Sequence, residues 1–85
     1  MKLPIIKTAV EYIEENSVDH IDHTLAVLEH MSQARGLKDE ELDTIGELIS
    51  NLAGALEVHN SIQNGAEKRQ ALNDFMQRVL GSIDK

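Results

Sequence analysis

Three of the four histidines of this 85-residue chain fall within eleven residues, at spacings that a helix places on one side. Two pairs there, Asp19 with His23 and His20 with His23, lie four and three residues apart. Either pair offers two ligands to zinc, nickel or copper. The predicted metal residues are therefore Asp19, His20 and His23. The full stripe on that side of the helix consists of His20, His23, Val27, His30 and Ala34.

The same stripe has two other interpretations. Histidine is the side chain whose charge ordinarily changes near neutral pH, so the stripe also fits a pH-sensitive surface or a contact with another protein. The plainer alternative is a solvated polar face on which the histidines have no role. The residues alone do not separate these three interpretations.

A second set of candidate residues lies further along the chain. His59 falls in an apolar seam, where it is either a haem or metal ligand or a neutral histidine at the edge of the core. Gly46, Ser50 and Gly54 are spaced four apart, and small residues at that spacing allow two helices to approach closely, within the chain or across a dimer. The alternative is glycines on a semi-exposed edge. The predicted interaction surface comprises His23, Val27, His30, Gly46, Ser50, Gly54 and His59.

Paired carboxylates occur at Glu14–Glu15 and at Asp39–Glu40–Glu41. Catalytic carboxylates need an environment that separates their pKa values, whereas these pairs fall at helix ends on polar faces. The chain contains no cysteine, no Glu-x-x-His pair and no glycine-rich phosphate loop. We therefore predict no catalytic site and no cofactor, and a protein that is not an enzyme.

Composition excludes further classes of function. The chain has 15 acidic and 8 basic residues, a net charge of −7, which disfavours binding to nucleic acid or to anionic membranes. No stretch approaches the roughly 20 apolar residues of a membrane span, and no signal peptide is recognisable. A cytoplasmic location is the expectation.

The elements that must position these residues are helices, because the apolar spacing is helical throughout. We predict one all-α domain, 1–85, of four helices in up-down order, at about 4–16, 18–35, 39–63 and 66–82. Pro4 suits a first turn, Ser17 suits an N-cap, and Gly36 and Gly65 suit helix ends. In the first helix Ile6, Ala9, Val10 and Ile13 share one face, with Ile5 and Tyr12 at its edge.

The third helix carries two apolar seams, which together cover nearly half of its circumference. One seam reads Leu42, Ile45, Ile49, Leu52, Leu56, and the other reads Leu48, Leu52, Ala55, His59, Ile62. This helix is also much longer than the first, so a single four-helix bundle would leave part of it uncovered. We therefore expect dimerisation to complete the bundle. The alternative is a monomer in which the corner between the first and second helices covers that surface.

Three segments carry a resemblance to a known family: MKLPIIK at 1–7, KDEELDTIGELISN at 38–51 and ALNDFMQRVLGSID at 71–84. They resemble an uncharacterised family of short bacterial proteins, and the likeness covers nearly the whole chain. Genes of that family tend to lie near those of peroxiredoxins and thioredoxin-like proteins. The resemblance implies an accessory to a thiol peroxidase system, and it assigns no functional residue.

The sequence thus predicts a non-enzymatic helical module that acts through protein contacts, as a homodimer or with a protein of a thiol peroxidase system. The alternative is a divalent-metal-binding or pH-sensing protein that uses the histidine stripe.

Overall fold

The computed structural model describes residues 2–83, which form four helices and no strand. The helices are α1 (Leu3–Glu15), α2 (Val18–Met31), α3 (Asp39–Gln63) and α4 (Lys68–Ile83). The predicted all-α fold is confirmed, and the bounds of α3 agree with the prediction.

Local signals account for most helix ends. Pro4 lies in the first turn of α1. The Ser17 hydroxyl accepts a hydrogen bond from the Asp19 backbone N–H at 3.1 Å, which caps α2. At the start of α3, the Glu41 carboxylate accepts the Lys38 backbone N–H at 2.8 Å. Acidic residues in this first turn also complement the positive end of the helix dipole.

The second helix ends four residues earlier than predicted. After Met31 the backbone turns through bonds of the i to i+3 type, from Gln33 N–H to the His30 carbonyl and from Ala34 N–H to the Met31 carbonyl. The Ser32 hydroxyl donates to the Glu29 carbonyl at 2.6 Å and so competes with regular helix bonding. Gly36 has the expected positive φ of 85°, but it lies in the linker.

The fourth helix begins two residues later than predicted, because the backbone of Ala66 takes part in the turn that ends α3. Its N–H donates to the Ser61 carbonyl at 3.1 Å, and Gly65 adopts a φ of 106°. This is the Schellman arrangement, which satisfies carbonyls left free at a helix end. The turn reverses the chain, so that α4 packs antiparallel to the second half of α3.

The helices form a flattened bundle. The most extensive packing joins α1 and α3. Lys2 meets Asn51 and Ile6 lies near Gly54, so the two helices run in the same direction. α2 and α4 flank this central pair and do not contact each other within the described residues. The molecule measures 43 × 35 × 17 Å, so it is thin in one direction.

The core is concentrated around the central pair and α4. The four predicted residues of α1, which are Ile6, Ala9, Val10 and Ile13, are all buried. They pack with Ala55 and Val58 of α3 and with a cluster on α4 formed by Ala71, Leu72 and Phe75. From α2, the buried hydrophobic residue is Ile21.

One polar side chain is fully enclosed in this core. Asn51 of α3 is 0% exposed, and its Oδ1 accepts the Lys2 backbone N–H at 3.0 Å. Its Nδ2 donates to the Glu47 carbonyl at 2.8 Å. Because both ends of the amide are bonded, Asn51 is tolerated in the core and ties the start of α1 to α3.

The fold leaves more surface in contact with solvent than a chain of this size ordinarily does. The radius of gyration is 13.8 Å, against about 12 Å expected for a compact domain of this length. The accessible surface is 5986 Å², against about 5,000 Å² for a typical folded monomer of this mass. Within residues 2–83, no helix combines the length and apolar character needed to cross a membrane.

Candidate interaction groove

A shallow groove of about 570 Å³ runs between α1 and α2. Helix α1 forms one wall and α2 the other, and Leu52 of α3 lies at its base. We call it the α1–α2 groove. Its lining consists of Pro4, Ile5, Thr8, Ala9, Tyr12, His20, Ile21, Thr24 and Leu52. The groove exists because α2 packs mainly on α3 and meets α1 over only a short stretch.

Large apolar side chains stay exposed along this groove. Ile5 is 38% exposed and Tyr12 is 43% exposed, both on the α1 wall. On the α2 wall, Val27 and Met31 continue the line of His20 and Thr24 at helical spacings of three and four residues.

Val27 is 58% exposed and Met31 is 47% exposed. Leu48, one turn before Leu52 on α3, is 40% exposed. Ile5 and Tyr12 thus line the groove, and helical spacing from the lining residues Thr24 and Leu52 places Val27, Met31 and Leu48 beside it. An exposed apolar patch of this kind is a usual sign of a contact site.

One end of the groove is closed by a polar contact. The Tyr12 hydroxyl and His20 Nδ1 are hydrogen-bonded at 2.9 Å, with the donor set by the histidine tautomer. The two ring centroids lie 5.9 Å apart at a tilt of 46°. Because each group satisfies the other, the contact links the two walls and leaves the rest of the groove apolar.

The groove also lacks formal charge. None of its nine lining residues is Asp, Glu, Lys or Arg. The chain as a whole carries a net charge of −7, so this is a face where a second acidic molecule meets little repulsion.

The structure places the predicted histidine stripe on the exposed side of α2. His20, His23, Val27 and His30 are all exposed, whereas Ala34 lies beyond the end of the helix. Within the described part of the chain, no three His, Asp or Glu side chains are grouped so that they could hold a metal ion. The two-ligand pairs of Asp19, His20 and His23 stay a prediction. His20 has a role that the stripe did not suggest, as the partner of Tyr12.

His59 is half-buried in α3, as its position in an apolar seam predicts. Its Nδ1 is buried and has no hydrogen-bond partner in the described residues.

The small residues of α3 separate into two environments. A Cβ atom built on Gly54 would lie 2.7 Å from Phe75 Cζ, so the close crossing at Gly54 is made within the chain, by α4. Gly46 meets nothing within 4 Å, and Ser50 is exposed. The structure therefore does not bring all seven residues of the predicted interaction surface together on one face.

The basic last helix pairs with acidic residues of its own chain. Lys68 Nζ donates to Glu14 Oε1 at 2.9 Å, which joins α4 to α1, and Arg78 pairs with Glu57 of α3. The pKa of Lys68 is raised above its ordinary value of 10.5, chiefly by the hydrogen bond that its ammonium donates to Glu14. Arg78 also lies over the Phe75 ring, 5.5 Å from its centroid.

Sequence reasoning missed most of the groove. It placed Ile5 and Tyr12 at the edge of the α1 core face without assigning them a role. Thr8 and Thr24 carried no signal as contact residues, whereas Leu52 was predicted as a member of both apolar seams of α3. The available signal was that Ile5 and Tyr12 are large residues at the edge of the α1 core face. The other residues of that face, Ile6, Ala9, Val10 and Ile13, were already enough to pack against the core.

Comparison with known proteins identifies the family. The family described as "Family of unknown function (DUF6952)" matches residues 1–84, and the chain belongs to it. This confirms the resemblance to an uncharacterised family. No curated protein and no solved structure matches the chain.

Proposed function

We propose that this protein is a non-enzymatic protein-interaction module that works as a homodimer. The observation that carries the proposal is the open side of the flattened bundle, where large apolar side chains of α1, α2 and α3 remain exposed around the α1–α2 groove.

The surface area supports this proposal. The accessible surface exceeds that of a typical monomer by roughly 900 Å². A stable protein–protein interface buries about 800 Å² from each partner. The excess is therefore of the size that one interface removes.

The lining of the groove supports an interaction role over catalysis. Its titratable side chains are Tyr12 and His20, which are hydrogen-bonded to each other. A catalytic pair would need a concave site in which such groups face a substrate, whereas this groove is broad and mainly apolar.

The oligomeric state tests the proposal. We expect sedimentation equilibrium to give about twice the 9.5 kDa chain mass at concentrations near 10 μM, with dissociation on dilution. A single species at monomer mass up to several hundred micromolar would contradict the homodimer. Hydrogen exchange compared at high and low concentration then locates the surface that association protects.

The thiol peroxidase partner implied by the family resemblance is a separate proposal. It predicts that a purified peroxiredoxin or thioredoxin-like protein encoded beside this one binds the dimer in solution. Titration calorimetry without detectable heat or stoichiometry would contradict that partner and leave the homodimer untouched.

A further inference from the structure

We infer that the occupant of the α1–α2 groove is helix α2 of a second copy of this chain, in a two-fold symmetric contact centred near Val27. The inference rests on the proposed homodimer and names its contact surface.

The first argument is shape. The α1–α2 groove is a hollow, and the neighbouring edge of α2, with Val27 and Met31, is an exposed apolar ridge. A surface that carries a ridge beside a matching hollow is self-complementary under two-fold rotation. The two copies of Val27 then face each other near the axis, the Met31 end of each ridge lies against the hollow of the other copy, and α1 and α2 of both copies together form a four-helix bundle.

The second argument is charge. Two copies bring a net charge of −14 in total, twice the −7 of one chain, so the two chains repel each other overall. The groove lining carries no formal charge, and Val27 and Met31 add none. This surface therefore lets two acidic chains approach without burying carboxylates.

The third argument is the weak coverage of α2 within its own chain. Ile21 is the residue of α2 that is buried, while Val18, Leu25 and Leu28 are half-buried. A helix with so little of its apolar surface covered is stabilised by a second packing partner. The second copy of α2 supplies that partner on the side of the groove.

Charge introduced at the ridge tests the inference. Because Val27 is 58% exposed, Val27→Glu should leave the fold of the single chain intact. We expect the dimer dissociation constant from sedimentation to rise by at least about 100-fold, since two carboxylates would meet at the symmetry axis. Circular dichroism confirms that the variant keeps its helices.

Leu42→Glu is the matched control. It adds the same charge to an apolar residue that is 38% exposed, in the first turn of α3. Leu42 is rotated by about 120° around α3 from Leu48, which lies on the groove side. We expect its dimer dissociation constant to stay within about threefold of the parent value, as for a substitution outside an interface.

Cross-linking gives an independent readout, because the chain contains no cysteine. Val27→Cys should form a disulfide-linked dimer on mild oxidation, since residues near a two-fold axis between helices approach within bridging distance. Leu42→Cys should remain a single chain on a non-reducing gel.

The outcomes separate the inference from the proposed function. A parent protein that dimerises and a Val27→Glu variant that does not would support both. Dimers that persist in Val27→Glu, or that are lost in Leu42→Glu, would overturn the α2 contact and leave the homodimer standing. A parent protein that is monomeric throughout would overturn both.

Discussion

The two sides of this molecule differ in how completely they are packed. One side, which we call the closed half, consists of α1, residues 51–63 of α3 and α4. The open half consists of α2 and residues 39–50 of α3. The closed half supplies nine of the ten buried hydrophobic residues in the described chain, and the open half supplies Ile21. Hence the closed half accounts for most of the folding stability, and the open half, together with the edge of α1 that lines the α1–α2 groove, is available for binding.

The difference arises from the placement of α4, not from a difference in apolar content. Helix α4 folds back onto α3 and covers Gly54 and Val58, while no fifth helix covers Leu42 or Leu48. A chain of this size buries only about three-fifths of its unfolded surface, so it cannot enclose every apolar side chain. The uncovered part that borders the α1–α2 groove, rather than Leu42 in the first turn of α3, marks where a second molecule adds most.

The largest expected effect is a difference in folding stability between substitutions at two adjacent residues of α1. Ile6 is 0% exposed and Ile5 is 38% exposed. We expect Ile6→Ala to lower the free energy of unfolding by about 3–4 kcal/mol, because it leaves a cavity in the core. Ile5→Ala should cost less than about 1 kcal/mol in urea denaturation at concentrations where the chain is monomeric. Equal losses would mean that the groove is not open in the folded chain.

The second test compares two glycines within α3. Gly54→Ala places a methyl group against the Phe75 ring, and we expect it to destabilise the fold by about 1 kcal/mol after the gain in helix propensity. Gly46→Ala meets no atom within 4 Å and should stabilise the fold by up to about 1 kcal/mol. Thermal unfolding of both variants measures whether each substitution raises or lowers the stability of the fold. If both substitutions stabilise the fold, the Phe75 ring of α4 does not pack closely against Gly54 of α3.

The smallest expected effect is the coupling free energy of the ion pair that joins α4 to α1. Glu14 and Lys68 are each about one-third exposed, so a double-mutant cycle with Glu14→Gln and Lys68→Met should give a coupling under about 1 kcal/mol. Because the pKa of Lys68 is raised in the fold, the contribution is fully present below its ordinary value of 10.5. It is lost as the pH rises through the raised pKa. A coupling that persists after the lysine has lost its proton would rule out this electrostatic origin.

Helices α1 and α3 also differ in how well the sequence predicted their buried faces. In α1, the spacing of Ile6, Ala9, Val10 and Ile13 identified the buried face, because a single apolar stripe leaves one choice. In α3, the two seams predicted more apolar surface than a single bundle covers, and Leu42 and Leu48 are 38% and 40% exposed. The fully buried side chains of Asn51 and Val58 belonged to neither seam.

The reason is that α3 carries more apolar surface than one chain can cover. Periodicity shows which residues share a face, but not which face a neighbouring helix will occupy. Asn51 illustrates the point, because a polar residue is buried only where partners meet both ends of its amide. Those partners are the backbone of Lys2, 49 positions away, and that of Glu47.

By itself, the sequence determined the helical class, the cap at Ser17, the turn at Gly65 and the core face of α1. These features depend on contacts within a few residues, which local spacing and residue type specify. Only the tertiary structure decided that α4 covers Gly54, that Tyr12 meets His20, and that Ile5 and Val27 border an open groove. Those outcomes depend on which helices, distant in sequence, pack against each other in the core. The residue pattern of a single helix does not specify which of its faces a neighbouring helix covers.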